Sequence, residues 1–90
     1  MNLLQRRKQM DRIDARLLQL LNQRATLAVQ AGVLKRQRRH PIIDRRREQR
    51  VLRQMVEANR GPFSNASIRA VFREILRHSR ALQASLGHPS

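Results

Sequence analysis

Residues 4–37 read LQRRKQMDRIDARLLQLLNQRATLAVQAGVLKRQ, 34 residues with no proline and a single glycine, Gly32. Apolar residues recur at Met10, Ile13, Leu17, Leu20, Leu27, Ala31 and Leu34, at spacings of three and four. That period predicts one sustained amphipathic helix from about Leu4 to Gln37. Lys35-Arg36-Gln37-Arg38-Arg39 suits a helix C-terminus, and Pro41 follows as a stop. A helix of that length spans roughly 50 Å, whereas a compact monomer of 90 residues has a radius of gyration of about 12 Å. Either a second copy packs along the helix and covers its stripe, or the helix breaks near Gly32 and folds back as a monomeric bundle.

The rest of the chain reads as two shorter helices. After the loop His40-Pro41-Ile42-Ile43, Asp44 is a good N-cap for a helix running to about Asn59, with Val51, Leu52, Met55 and Val56 inward. Arg60-Gly61-Pro62-Phe63 makes a turn, and Ser64 caps a third helix carrying Ile68, Val71, Phe72, Ile75, Leu76 and Leu82 to about Leu86. Gly87 to Pro89 closes the chain with turn residues. No strand or internal repeat is visible, so the fold class is all-α, three helices with one very long.

Composition agrees and narrows the function. The apolar fraction is 40%, with two Phe and no Trp, Tyr or Cys, which favours helix over sheet and excludes disulfides and thiolate metal sites. No apolar run is long enough for a signal peptide or membrane span, which predicts a soluble cytoplasmic protein. The net charge is +14, and of the 20 basic residues only Lys8 and Lys35 are lysines. Such a charge attracts anions, whether nucleic acid, acidic membrane or a small polyanion. Nucleic-acid modules often add aromatic platforms or glycine-rich loops, and neither occurs here. His40, His78 and His88 lack metal-ligand spacing, and no Ser-His-Asp set, phosphate loop or zinc motif is present.

The informative residues are polar ones on core-building faces. Arg24 interrupts the first helix's stripe between Leu20 and Leu27, and Lys35 lies eleven residues on, near the same face. A buried unpaired charge costs several kcal/mol, so Arg24 asks for an anionic partner unless it snorkels to solvent. Glu48 continues the row of Leu52 and Met55, with Asp44 and Arg47 within a turn before it; a capped, salt-bridged first turn is the plainer account. Ser79 continues the row of Ile68, Phe72 and Ile75, and Gln83 follows one turn later, where a fraying helix end would also tolerate polar residues. Taken together they describe a polar pocket inside a helical bundle. Arg12, Arg16, Arg36, Arg45, Arg50, Arg53, Arg69 and Arg73 read as a solvated basic surface.

These residues resemble the all-α chorismate mutases, of the monofunctional bacterial type. The resemblance is carried by Arg7 with Ile13-Asp14, Leu17-Leu18-x-Leu20-Leu21-x-x-Arg24, Gly32-x-x-Lys35, Pro41-Ile42-x-Asp44-x-x-Arg47-Glu48, Phe72-Arg73-Glu74-Ile75 and Ser79-x-x-x-Gln83. It implies an intertwined helical homodimer with shared sites, each borrowing an arginine from the partner's long helix. It also implies the cofactor-free rearrangement of chorismate to prephenate, a step of aromatic amino-acid biosynthesis. By position, Arg24 and Arg47 would bind substrate carboxylates and Arg7 would do so in the other subunit's site. Lys35 and Gln83 would donate to the ether oxygen, Glu48 would hold the ring hydroxyl, and Asp44 and Ser79 would complete the pocket. Residues 1–90 are then one such domain, with no fused dehydratase, dehydrogenase or regulatory unit among them. The chain departs from the family in its arginine surplus and in Gln30, where an acid is common.

Two other functions fit parts of the sequence. Isochorismate pyruvate lyases resemble the same scaffold but lack the full Asp-x-x-Arg-Glu set found at residues 44–48. A basic helical dimer binding nucleic acid non-specifically would explain the charge but leaves Arg24, Glu48, Ser79 and Gln83 without a role.

Overall fold

A computed structural model describes residues 2–86, with side chains for residues 2–85. Three helices follow in order: α1 (Leu3–Gln37), α2 (Arg45–Ala58) and α3 (Asn65–Leu86). Gly87, His88 and Pro89 lie outside the described residues. Each start has a sequence cause. Asn2 caps α1 through a reciprocal box with Gln5, its side chain accepting from the Gln5 N–H while Gln5 accepts from the Asn2 N–H. Asp44 accepts from the Arg47 N–H at 3.0 Å at the head of α2, and Ser64 accepts from the Ser67 N–H at 3.1 Å at the head of α3. Asn59 braces the intervening turn, donating to the Phe63 carbonyl at 2.8 Å and accepting from the Gly61 N–H at 3.0 Å.

α1 runs unbroken through Gly32, so the folded-back monomer is not adopted. α3 is the centre of the chain: α1 and α2 each pack on it and not on one another. α1 runs parallel to α3, pairing Arg24 with Ser79 and Arg36 with Gln83, while α2 runs antiparallel, pairing Glu48 with Arg80. The core is thin. Ala28, Val51 and Leu76 are its buried apolar residues, and no large side chain among the described residues is fully buried. Leu52, Met55, Val56, Ile68, Phe72, Ile75 and Leu82 are half-buried as their spacing predicts, but Val71 is exposed.

The stripe of α1 is left largely uncovered by its own chain. Ala31 apart, none of its members is covered by its own chain: Met10, Ile13, Leu17, Leu20, Leu27 and Leu34 are all exposed, Ile13 by 64%. α3 instead seats against Ala28 and Gly32 in the last third of the helix. Periodicity marked a face to be covered, but α3 reaches only the far end of it. Every residue from 2 to 23 is exposed, so about 30 Å of α1 stands free. The radius of gyration is 16.2 Å, against about 12 Å for a compact chain of this length. The chain exposes 7604 Å², where a compact monomer of this mass exposes about 5,500 Å². An isolated helical arm of this length is marginal in water, and its leucines call for a partner surface.

α1 ends in a Schellman motif. The His40 N–H donates to the Lys35 carbonyl at 2.7 Å and the Arg39 N–H to the Arg36 carbonyl at 3.0 Å. This geometry places Arg39 at φ +57°, a left-handed conformation that disfavours any residue with a Cβ by roughly 1 kcal/mol. Arg39→Gly should therefore raise the unfolding midpoint by about 5 °C, measured by thermal melts at one protein concentration. A lowered midpoint would contradict this strain.

Candidate active site

A cavity of about 460 Å³ opens between the last third of α1, the first half of α2 and the second half of α3. Its walls combine apolar Leu27, Ala28, Ala31, Ile42, Val51 and Leu76 with Arg24, Lys35, Asp44, Arg47, Glu48, Ser79, Arg80 and Gln83. Seven of the eight site residues expected from the sequence thus border one space. The eighth, Arg7, lies on the free half of α1, exposed and away from this cavity. Seventeen residues separate it from Arg24, roughly 25 Å along a helix.

Helical spacing produces the arrangement. Arg24, Ala28, Ala31 and Lys35 recur at four, three and four residues, so one face of α1 carries a cation at either end and small residues between. The alanines leave room for a ligand that larger side chains would fill. On α3, Leu76, Arg80 and Gln83 share a face at spacings of four and three, with Ser79 beside them.

Most polar groups are already anchored. Arg24 Nη1 donates to Ser79 Oγ at 3.0 Å, and that hydroxyl donates to the Ile75 carbonyl at 2.7 Å. Lys35 Nζ donates to the Ile42 carbonyl at 3.1 Å and to Gln83 Oε1 at 3.5 Å, leaving one of its three protons for a ligand. Gln83 is buried and donates from Nε2 to the Ala28 carbonyl at 2.9 Å, keeping a second N–H. Asp44 contributes one carboxylate oxygen to the helix cap and also borders the cavity. The capped first turn therefore coexists with a place in the site, but the ion pair of Glu48 is made across helices, with Arg80. Four cations against two carboxylates leave the cavity a surplus of two positive charges. Among the described residues no cluster of His, Asp and Glu could hold a metal ion. Glu74, whose carboxyl is held below its usual range by the Arg77 hydrogen bond and then by its charge, sits on the exposed face, outside this cavity.

Two arginines escaped the sequence reading. Arg80 lies one turn after Leu76 and nearly one before Gln83, a periodic signal hidden by the abundance of arginine. Arg36, expected on the solvated surface, is half-buried and donates to the Gln83 and Ala84 carbonyls at 3.3 and 3.2 Å. The orphan carbonyls near the end of α3 draw it in. Arg12, Arg16, Arg45, Arg50, Arg53, Arg69 and Arg73 are exposed as expected.

Fold and site together define an all-helical domain with a polar, net cationic cavity between its helices. The sequence profile of the chorismate mutase type II family matches residues 6–84; the chain belongs to that family. The bifunctional chorismate mutase/prephenate dehydratase of Neisseria gonorrhoeae (strain ATCC 700825 / FA 1090) is 36% identical over 84 residues, 93% of this chain and 23% of that protein. The protein of the same description from Aquifex aeolicus (strain VF5) is 35% identical over 74 residues, 78% of this chain and 20% of that one. The chain thus spans about a fifth to a quarter of the length of these curated relatives. Among solved structures, form II of chorismate mutase from Thermus thermophilus matches with a TM-score of 0.86 at 34% identity, covering 88% of this chain and 90% of that one. Form I, from the same organism, matches with a TM-score of 0.80 at 36% identity, covering 81% and 91%.

The Glu48–Arg80 pair joins α2 to α3 with side chains 21% and 34% exposed, between the surface and buried regimes. In a double-mutant cycle of Glu48→Gln and Arg80→Met, denaturant unfolding should give a coupling of about 1 kcal/mol. A coupling within error of zero would mean that the pair does not form in solution.

Proposed function

We propose that this chain is a chorismate mutase, rearranging chorismate to prephenate in two shared sites of a homodimer. The observation that carries the reading is the convergence of Arg24, Lys35, Asp44, Arg47, Glu48, Ser79 and Gln83, from three helices, on one cavity with two surplus positive charges. Chorismate carries two carboxylates, so the charge balance suits it.

The reaction is pericyclic: one carbon–oxygen bond breaks as one carbon–carbon bond forms within the same molecule. It requires no nucleophile, and no proton moves. Catalysis reduces to holding the compact conformer and stabilising the negative charge that grows on the ether oxygen. Arg24 and Arg47 serve the first task as carboxylate clamps. Lys35 and Gln83 serve the second, each having a proton left after its anchoring bonds, as donors fixed in advance where the charge develops. Glu48 accepts from the ring hydroxyl with the oxygen that Arg80 leaves free, and Asp44 and Ser79 hold the surroundings.

The partner copy supplies what one chain lacks. It covers the leucines of the free half of α1, and it delivers Arg7, too distant to reach the site of its own chain. The exposed arginines attract nucleic acid only non-specifically, with binding that fades as salt rises. No helix among the described residues is long and apolar enough to cross a membrane, and we place the reaction in the cytoplasm.

Incubation with chorismate and, separately, with isochorismate tests the activity: prephenate should form from the first and no pyruvate from the second. Release of pyruvate alone would assign the lyase reaction instead. Arg24→Ala and Lys35→Ala should each slow the rearrangement by at least about two orders of magnitude, whereas Arg69→Ala should change little.

Mixing variants tests the shared site. Arg7→Ala and Lys35→Ala homodimers should both be nearly inactive. After joint unfolding and refolding, about half the dimers are mixed, and one site in each combines an intact Lys35 with the partner's intact arginine at position 7. About a quarter of all sites should regain activity. No recovery, with mixed dimers present, would rule out the borrowed arginine.

A further inference from the structure

Gln83 is only 7% exposed, and three successive turns of α1 enclose it. Nε2 donates to the Ala28 carbonyl at 2.9 Å, and Oε1 accepts from Lys35 Nζ at 3.5 Å. These partners dictate which way the amide faces. Exchanging its two ends would set oxygen against oxygen and donor against donor. From the third turn, Arg36 Nη2 donates to the Gln83 carbonyl at 3.3 Å and to that of Ala84 at 3.2 Å. Arg36 holds this position although its Nε is buried with no hydrogen-bond partner among the described residues.

Gly32 lies directly against the same side chain. A Cβ at this position would stand 3.2 Å from both Cβ and Cγ of Gln83 and 3.5 Å from its Cα. The first two separations are tighter than ordinary carbon–carbon contact, so a side chain at 32 requires Gln83 or α3 to give by a few tenths of an ångström. The backbone itself does not ask for glycine, since Gly32 lies within a regular helix and lacks a positive φ. Helix propensity favours alanine there. The glycine is therefore matched to the seat of Gln83, not to the path of the chain.

We infer that Gly32 and Arg36 are positioning residues for Gln83. Gly32 sets how closely α3 approaches α1, and Arg36 fixes the height of α3 along it, so that the free N–H of Gln83 is held at one place in the cavity. Neither residue borders the cavity. The inference rests on the reading of Gln83 as a donor to the reacting ether oxygen.

The test is a kinetic double-mutant cycle on the dimer of residues 1–90 with chorismate, with Gly32→Ala made in the parent and in Gln83→Ala. In the parent, kcat should fall about ten-fold, as a misplacement below 1 Å does, while KM stays within about two-fold and the variant remains folded. In Gln83→Ala, the same substitution should change kcat by less than about two-fold, because the amide it displaces is gone. A parent-like kcat for Gly32→Ala, or equal losses in both backgrounds, would overturn the inference. Should Gly32→Ala not fold, Arg36→Met replaces it in the same cycle, with the same pattern expected and the same results decisive. An inactive parent overturns the proposed function, an unimpaired Gln83→Ala overturns the role given to Gln83, and either takes this inference with it. A slow Gln83→Ala beside a parent-like Gly32→Ala overturns the inference alone.

Discussion

The approach of α3 to α1 at Gly32 is the contact on which the rest of the chain depends. α2 touches α1 at no backbone position, so the two are related only through α3 and the loop between them. The contact is made by small residues and a buried amide instead of large apolar side chains, with Ala28 and Gly32 receiving Gln83. Such a seam adds little hydrophobic stabilisation, since its buried area is small. It is specific, because the Gln83 hydrogen bonds are satisfied at one register only, and a buried polar group left unpaired costs about 1–3 kcal/mol.

That choice explains why the cavity and the weak core occur together. A bundle that filled the space between Arg24 and Lys35 with leucine would be better packed and would have no site. Ala28 and Ala31 keep the space open, and the polar rim is anchored before any ligand arrives, Arg24 by Ser79 and Lys35 by Ile42. Side chains fixed in this way lose little further freedom on binding, which is what preorganised charge stabilisation requires. The stability forgone in the core must come from elsewhere, and the free leucines of α1 are the surface available to supply it.

The sequence showed the helices nearly to the residue, because caps and stops are local: Asp44 and Ser64 act within one turn, and Arg39 to Pro41 ends α1. It also showed five residues of the cavity, since an Arg, Lys, Glu, Ser or Gln on an apolar row stands out by period, with Asp44 and Arg47 beside Glu48 at the head of α2. Gly32 was legible as a weak point in a helix and as part of the pattern Gly32-x-x-Lys35, but not as a packing residue, because that role lies across the interface in Gln83, some fifty residues on. Arg80 and Arg36 were lost among eighteen arginines; which of them turn inward depends on the rotation of α3 about its axis, a tertiary quantity. The stripe of α1 was visible as an apolar face, but periodicity cannot say whether the cover comes from the same chain.

The parallel pairing of the far ends of α1 and α3 also bears on how the chain is made. Arg24 meets Ser79, and Ala28 meets Gln83, each 55 positions later. At ribosomal speeds of roughly 5–20 residues per second, several seconds pass between the emergence of α1 and that of its seat. α3 seats against Ala28 and Gly32, so the leucines of α1 have nothing of their own chain to meet during that interval or after it. A nascent arm in this condition is suited to meeting another copy on the same polysome, where neighbouring α1 arms are exposed at the same moment.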